Sequence, residues 1–178
     1  FHDLIGDSTA PREYGAVAHG TLMAGILISG SHQIGIAQNV TFAMVAALQD
    51  DGSGQNSGLE SDVGDAIRWC QFQFKADIIS LSLGGTPSME GEREGDSASA
   101  TRQATDSGIF VVAAAGNDGG PDDDGDVAAP GNVPRAISVG ATTREGDVWA
   151  NSSIGSDNGE GASREHPHMK PEIVAPGH

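Results

Sequence analysis

Apolar positions along this chain fall into runs of two kinds, one at helical spacing and one nearly continuous. Neither is sustained before residue 19, where Gly6-Asp7-Ser8 and Pro11 mark turns, so residues 1–18 read as loop. His19 then opens a run of small and apolar residues to about Ser29, the length of a buried helix, stopped by Gly30-Ser31. Gly20, Ala24 and Gly25 would let neighbouring backbone approach that helix closely. Val40 to Leu48 (VTFAMVAAL) is β-leaning and apolar throughout, as a strand buried on both faces would be. Asp50 to Gly54 turns the chain. Ser57 and Glu60 then form a capping-box pattern, and Leu59, Val63, Ala66, Ile67, Cys70 and Phe74 share one helical face.

The second half repeats the alternation. Ala76 to Leu83 reads as a strand closed by Gly84-Gly85, about Ser97 to Ser107 as a helix ended by Gly108, and Ile109 to Ala115 as the most continuous strand. Gly116-Asn117 follows it, and further strands are expected at Ala136 to Ala141 and near Glu172 to Ala175. Strands alternating with helices predict one α/β domain over residues 1–178, with a mostly parallel central sheet and helices on both faces. Sites in such folds gather at the carboxyl ends of strands, where Gly84-Gly85 and Gly116-Asn117 lie.

Charge narrows the partners. Twenty-five acidic residues face nine basic ones, for a net charge of −16, and Lys75 and Lys170 are the only lysines. Repulsion excludes nucleic acid and anionic membranes as partners. Two readings of the charge stand: an ordinary acidic, soluble surface, or adaptation to high salt, which screens self-repulsion while carboxylates stay hydrated. Cys70, the single cysteine, excludes an intrachain disulfide and a cysteine-rich metal site, and reads as a buried structural thiol. No apolar run approaches the roughly 18 residues of a membrane span, and no signal peptide is visible. Both ends read as cut from a longer chain.

Three phrases carry the chemistry: HGTLMAGI at 19–26, SLGG at 82–85 and AAAGNDG at 113–119. With FAMVAALQDDGSGQ at 42–55, APGNVPRAISVGAT at 129–142 and KPEIVAPG at 170–177, in this order, the chain resembles the subtilisin-like serine proteases over nearly its whole length. The resemblance implies a subtilisin-like three-layer fold, incomplete at both ends, and a secreted endopeptidase acting on peptides or proteins through an Asp-His-Ser triad. It makes His19 the general base, passing a proton from a serine hydroxyl to the leaving amine, work suited to imidazole. Asn117 becomes the oxyanion-hole donor. Ser82, Leu83, Gly84 and Gly85 form one wall of the P1 pocket and the edge that pairs with substrate, and Ala114, Ala115 and Gly116 form the opposite wall. Small side chains on both walls imply room for a sizeable P1 residue. Ala129-Pro130 falls where the family often has a cis bond.

The pattern also fails in places. The family's D-[ST]-G phrase, which carries the catalytic aspartate, is absent. Asp7-Ser8-Thr9 has no apolar strand before it and Thr9 in place of glycine, so it and Asp3 read as the variable loop before the histidine. The nucleophile's G-T-S-M-A phrase is absent too; Gly85-Thr86-Pro87-Ser88 is not that motif, and no G-x-S-x-G elbow occurs. Leu22-Met23 stands where the family usually has His-Val. The chain alone is therefore expected to be inactive, either as the central part of a protease or as a non-catalytic relative that keeps the groove to bind peptides. A nucleotide-binding α/β domain is the third reading, without a phosphate loop to support it.

No cofactor is required on this reading, though calcium could serve as a structural ion. Asp122, Asp124 and Asp126 are the acidic candidates, with an acidic surface loop as the alternative. Glu165, His166 and His168 read as solvated surface around Pro167, and His2, His32 and His178 carry no assignment. The high-salt reading predicts that the melting temperature rises in molar KCl. An equal or lower value by calorimetry would leave only the ordinary acidic surface.

Overall fold

Continuous apolar runs become parallel strands in the second half of the chain. The computed structural model describes residues 1–15, 17–30, 35–87, 94–120, 127–156 and 169–177, with backbone alone at Ser156 and Met169. The chain divides into two compact units, Phe1–Ala66 and Ile67–His178.

The first unit holds α1 (His19–Ile28) and four two-residue strands. β1 (His2–Asp3) pairs in parallel with β2 (Val45–Ala46), and β3 (Gln49–Asp50) pairs antiparallel with β4 (Asn56–Ser57). Three expectations do not hold in this unit. The run Val40 to Leu48 is a strand only at Val45–Ala46, because β-leaning residues keep strand geometry where a neighbour supplies hydrogen bonds, and β1 supplies only two residues of it. Ser57 belongs to β4 and not to a capping box; α2 (Glu60–Trp69) starts after Leu59, whose carbonyl accepts from the N–H groups of Asp62 and Val63. None of the residues of α1 is buried, although the helix is apolar on every side. Such a helix needs cover all round, and this unit does not supply it. Accordingly, nothing lies within 4 Å of where a Cβ on Gly25 would be.

Asp3 is also not loop. It ends β1, is buried, and accepts hydrogen bonds from the N–H groups of Ile5 (2.9 Å), Gly6 (3.0 Å) and Ser8 (2.8 Å) and from the Tyr14 hydroxyl. Burial alone would raise its pKa. The bonds from Tyr14 and these backbone groups outweigh it and hold the carboxyl well below the usual carboxylate range.

In the second unit, α2 runs on into a π-helical turn (Cys70–Phe74), ended by Lys75 in the left-handed conformation. The main sheet then has the order β10 (Ile173–Pro176), β7 (Ile137–Thr142), β6 (Phe110–Ala114), β5 (Ile78–Leu81), every pair parallel. β8 (Gly155–Ser156) and β9 (Met169–Lys170) form a separate antiparallel pair. The strand ends lie within two residues of those read from the sequence, and the fold is α/β with a mostly parallel sheet. One face buries Ile79, Leu81, Val111, Ala113 and Ser138. α3 (Asp96–Asp106) packs on β6 and buries Ser97, Ala98, Ala100, Thr101 and Ala104, side chains small enough for helix and sheet to approach closely.

Lys170 locks β10 to β7. Only 2% exposed, its Nζ donates to the Ala136 carbonyl (2.9 Å) and pairs with Glu172 (3.0 Å), whose carboxylate accepts from the Ser138 N–H (2.7 Å). The Ala129-Pro130 bond is cis, as the resemblance implied, and Lys170-Pro171 is cis as well. Among the described residues, no helix is long and apolar enough to cross a membrane.

A depressed carboxyl pKa stabilises the fold above the unfolded-state value, and that contribution is lost as pH falls toward the folded-state value. Asp3→Asn should therefore lower stability most near neutral pH. The gap from the wild type in urea unfolding should shrink progressively below about pH 4. A gap that does not change with pH would show that Asp3 contributes only shape.

Candidate active site

Parallel pairing of Leu81 with Ala113 brings the carboxyl ends of β5 and β6 side by side. Ser82–Gly85 leaves one end and Ala115–Asn117 the other, so the two expected walls are neighbours within the second unit. Ser82, Gly84 and Gly85 are exposed, Leu83 and Ala114 are half-buried, and Ala115 is buried.

A third segment ties them together. Gly85 and Ala129 exchange two backbone hydrogen bonds of 2.9 Å, and the Ala128 N–H donates to the Ala115 carbonyl (2.7 Å). The Ala128 methyl consequently sits against both walls: a Cβ on Gly84 would lie 2.7 Å from it, and one on Gly116 3.2 Å from it. Gly116 has φ +114°, a conformation open to glycine and strained for other residues, and a Cβ there would also meet Ser153 Oγ at 2.7 Å.

Asn117 follows directly, with its side chain exposed. Its flanks are held from one place. The Ser153 N–H donates to the Gly116 carbonyl (3.2 Å), and the Asp118 N–H donates to Ser153 Oγ (2.9 Å). One step further, the Gly119 N–H donates to the Asn151 carbonyl (3.1 Å).

His19 lies in the first unit, exposed, as the first residue of α1. The cap residue, Ala18, offers no side-chain bond. Glu13 does this work instead: its carboxylate accepts from both the N–H and the hydroxyl of Thr21 (3.0 Å each), placing a negative charge at the positive end of the helix.

Among the described residues there is no cluster of three or more His, Cys, Asp or Glu that could hold a metal. Asp122, Asp124, Asp126, Glu165, His166, His168, His32 and His178 lie outside the described residues. Glu13, Ala128 and Ser153 were not singled out from the sequence. Glu13 stands in an unpatterned loop, and Ser152-Ser153 in a polar stretch without period. The one available signal was for Ala128, which immediately precedes the proline-containing phrase.

The model of the Subtilase family matches residues 5–178. Subtilisin E of Bacillus subtilis (strain 168) is 32% identical over 157 residues, 86% of this chain and 38% of its own length. Subtilisin DY of Bacillus licheniformis is 34% identical over 146 residues, 78% of this chain and 48% of its own. Among solved structures, Sphericase superposes with a TM-score of 0.72 at 29% identity, covering 98% of this chain and 58% of that one. The prenylagaramide maturation protease PagA gives 0.65 at 26% identity, covering 78% and 48%. The chain thus spans about half or less of the length of the curated relatives it matches.

The strain at Gly116 is testable. Gly116→Ala should cost about 1–3 kcal/mol in urea unfolding, from the positive φ and the contact with Ser153. Gly85→Ala, where nothing lies within 4 Å of the new Cβ, should stay within about 0.5 kcal/mol of the wild type. Equal losses at both positions would refute the distinction.

Proposed function

The chain belongs to the subtilase family, and on that footing we propose that it is the central part of a subtilisin-type serine endopeptidase domain. What supports this reading most is the meeting of SLGG and AAAGN at the ends of adjacent parallel strands, with Asn117 exposed beside them. His19 acts as general base and then as general acid to the leaving amine. The Asn117 side-chain amide donates to the carbonyl oxygen as it gains negative charge in the tetrahedral intermediate.

An extended substrate pairs with the segment Ser82–Gly84. Gly85 ends the groove, since both its main-chain groups are already engaged by Ala129. The Ala128 methyl, against both glycines, forms the floor between the two walls and limits the depth available to a P1 side chain. The substrate is a peptide or protein; an acidic chain of net charge −16 repels nucleic acid. The same reading puts the enzyme outside the cell, where salt can be high enough to screen that charge.

The aspartate that orients His19 and the serine it activates are not present in residues 1–178 under their family phrases, so on this reading these residues alone do not cleave peptides. A fluorophosphonate probe should leave the 178-residue chain unlabelled and label the complete gene product on a serine of a G-T-S phrase. In that product Asn117→Ala should lower kcat by roughly 10²–10³ with little change in KM, a magnitude taken from subtilisin itself. A complete product that binds peptides but takes up no probe would be the peptide-binding relative instead. Labelling of the 178-residue chain would show that its nucleophile lies within these residues.

A further inference from the structure

Asn117 can stabilise an oxyanion only if its amide is aimed before the charge develops, and its own side chain, exposed to solvent, does not aim itself. We infer that Ser153 is the positioning residue for Asn117, an inference that rests on the oxyanion role proposed above. The direction in which a side chain leaves the backbone is set by φ and ψ, which are the orientations of the two flanking peptide planes. For Asn117 those planes carry the Gly116 carbonyl and the Asp118 N–H. Ser153 grips both, the first through its own N–H (3.2 Å) and the second through its hydroxyl oxygen (2.9 Å).

A grip fixes a direction only if it is itself fixed. Ser153 is fully buried. Its neighbour Ser152, 4% exposed, donates its N–H to the Trp149 carbonyl (2.9 Å) and accepts the Ala141 N–H of β7 on its hydroxyl (2.9 Å). Ser153 is thereby referenced to the central sheet, the rigid part of the unit. Close approach is possible because residue 116 is glycine: any Cβ there would press against Ser153 Oγ. Only the side-chain torsions of Asn117 then remain to be ordered when substrate arrives. Misplacing a catalytic group by about 1 Å can cost as much as a hundredfold in rate.

Two measurements test this. Ser153→Ala leaves the Asp118 N–H without its acceptor, so in the complete gene product its amide exchange should quicken at least tenfold. The Ala115 amide, bonded to Val139, should be unaffected. In the complete gene product Ser153→Ala should lower kcat roughly tenfold with KM within about twofold. The decisive arm is the double variant: in an Asn117→Ala background, Ser153→Ala should lower kcat no further. Ser153→Cys, similar in size but a weak acceptor, should behave alike if the alanine variant does not fold.

Unchanged exchange at Asp118 would overturn the inference. So would an equal fall in kcat with and without Asn117, because that is the mark of a merely structural serine. If Asn117→Ala leaves kcat intact, or the complete product cleaves nothing, the oxyanion role itself fails and this inference with it. If Asn117→Ala is damaging and Ser153→Ala is not, only this inference fails.

Discussion

Parallel pairing of β5 with β6 is the constraint on which the second unit turns. Parallel strands end at the same edge, so whatever follows Leu81 must lie beside whatever follows Ala113. The sequence then has to keep both exits narrow. Gly84 and Gly116 do so, each leaving room for the Ala128 methyl, while Ala129 closes against Gly85 through paired backbone bonds. Larger residues at either glycine would force the exits apart. The pairing register thus becomes a statement about the width of a groove.

The sheet was legible because its strands are written as continuous apolar runs, Ile109 to Ala115 above all, although β6 buries only one face, with Phe110 exposed and Val112 half-buried on the other. The same logic failed at Val40 to Leu48. There the composition was right but β1 offers only His2 and Asp3 as partners, and pairing rather than propensity decides. Asp3 was illegible for a related reason: its burial depends on Tyr14, a contact with no sequence period. The candidate site divides similarly. His19, Gly84-Gly85 and Gly116-Asn117 could be read because their phrases are short and local. Ala128, Ser153 and Glu13 act across the fold through backbone groups, and serine or glutamate in a polar loop announces nothing.

An acidic chain has few cations to spend on structure, and several of this one's converge on α3. Arg68 forks onto Asp96 in its first turn (2.9 and 2.6 Å), Arg102 pairs with Glu94 just before it, and Arg135 reaches Asp106 in its last turn (2.9 Å). These pairs are partly or largely exposed, and such pairs contribute only about 0–1 kcal/mol each, less as salt rises. The close packing of Ala98, Ala100, Thr101 and Ala104 must therefore carry most of the attachment of α3. An element that backs β6, and so the approach to Asn117, is held by contacts that salt does not weaken.

His19 and Asn117 are placed by the same means in separate units. α1 is apolar on every side yet is at most half-buried, so hydrophobic packing alone does not determine how His19 is presented. Polar contacts hold both of its ends. Glu13 takes the Thr21 N–H at one end, and the N–H groups of Ile36 and Ala37 take the Ile26 (3.1 Å) and Leu27 (2.7 Å) carbonyls at the other. Asn117 likewise owes its direction to bonds on the peptide groups beside it rather than to anything its own amide touches. Bonds to the main chain orient a residue without covering its side chain, and in the roles proposed for His19 and Asn117 a group that meets substrate has to be both oriented and uncovered. Packing could supply the first only by sacrificing the second.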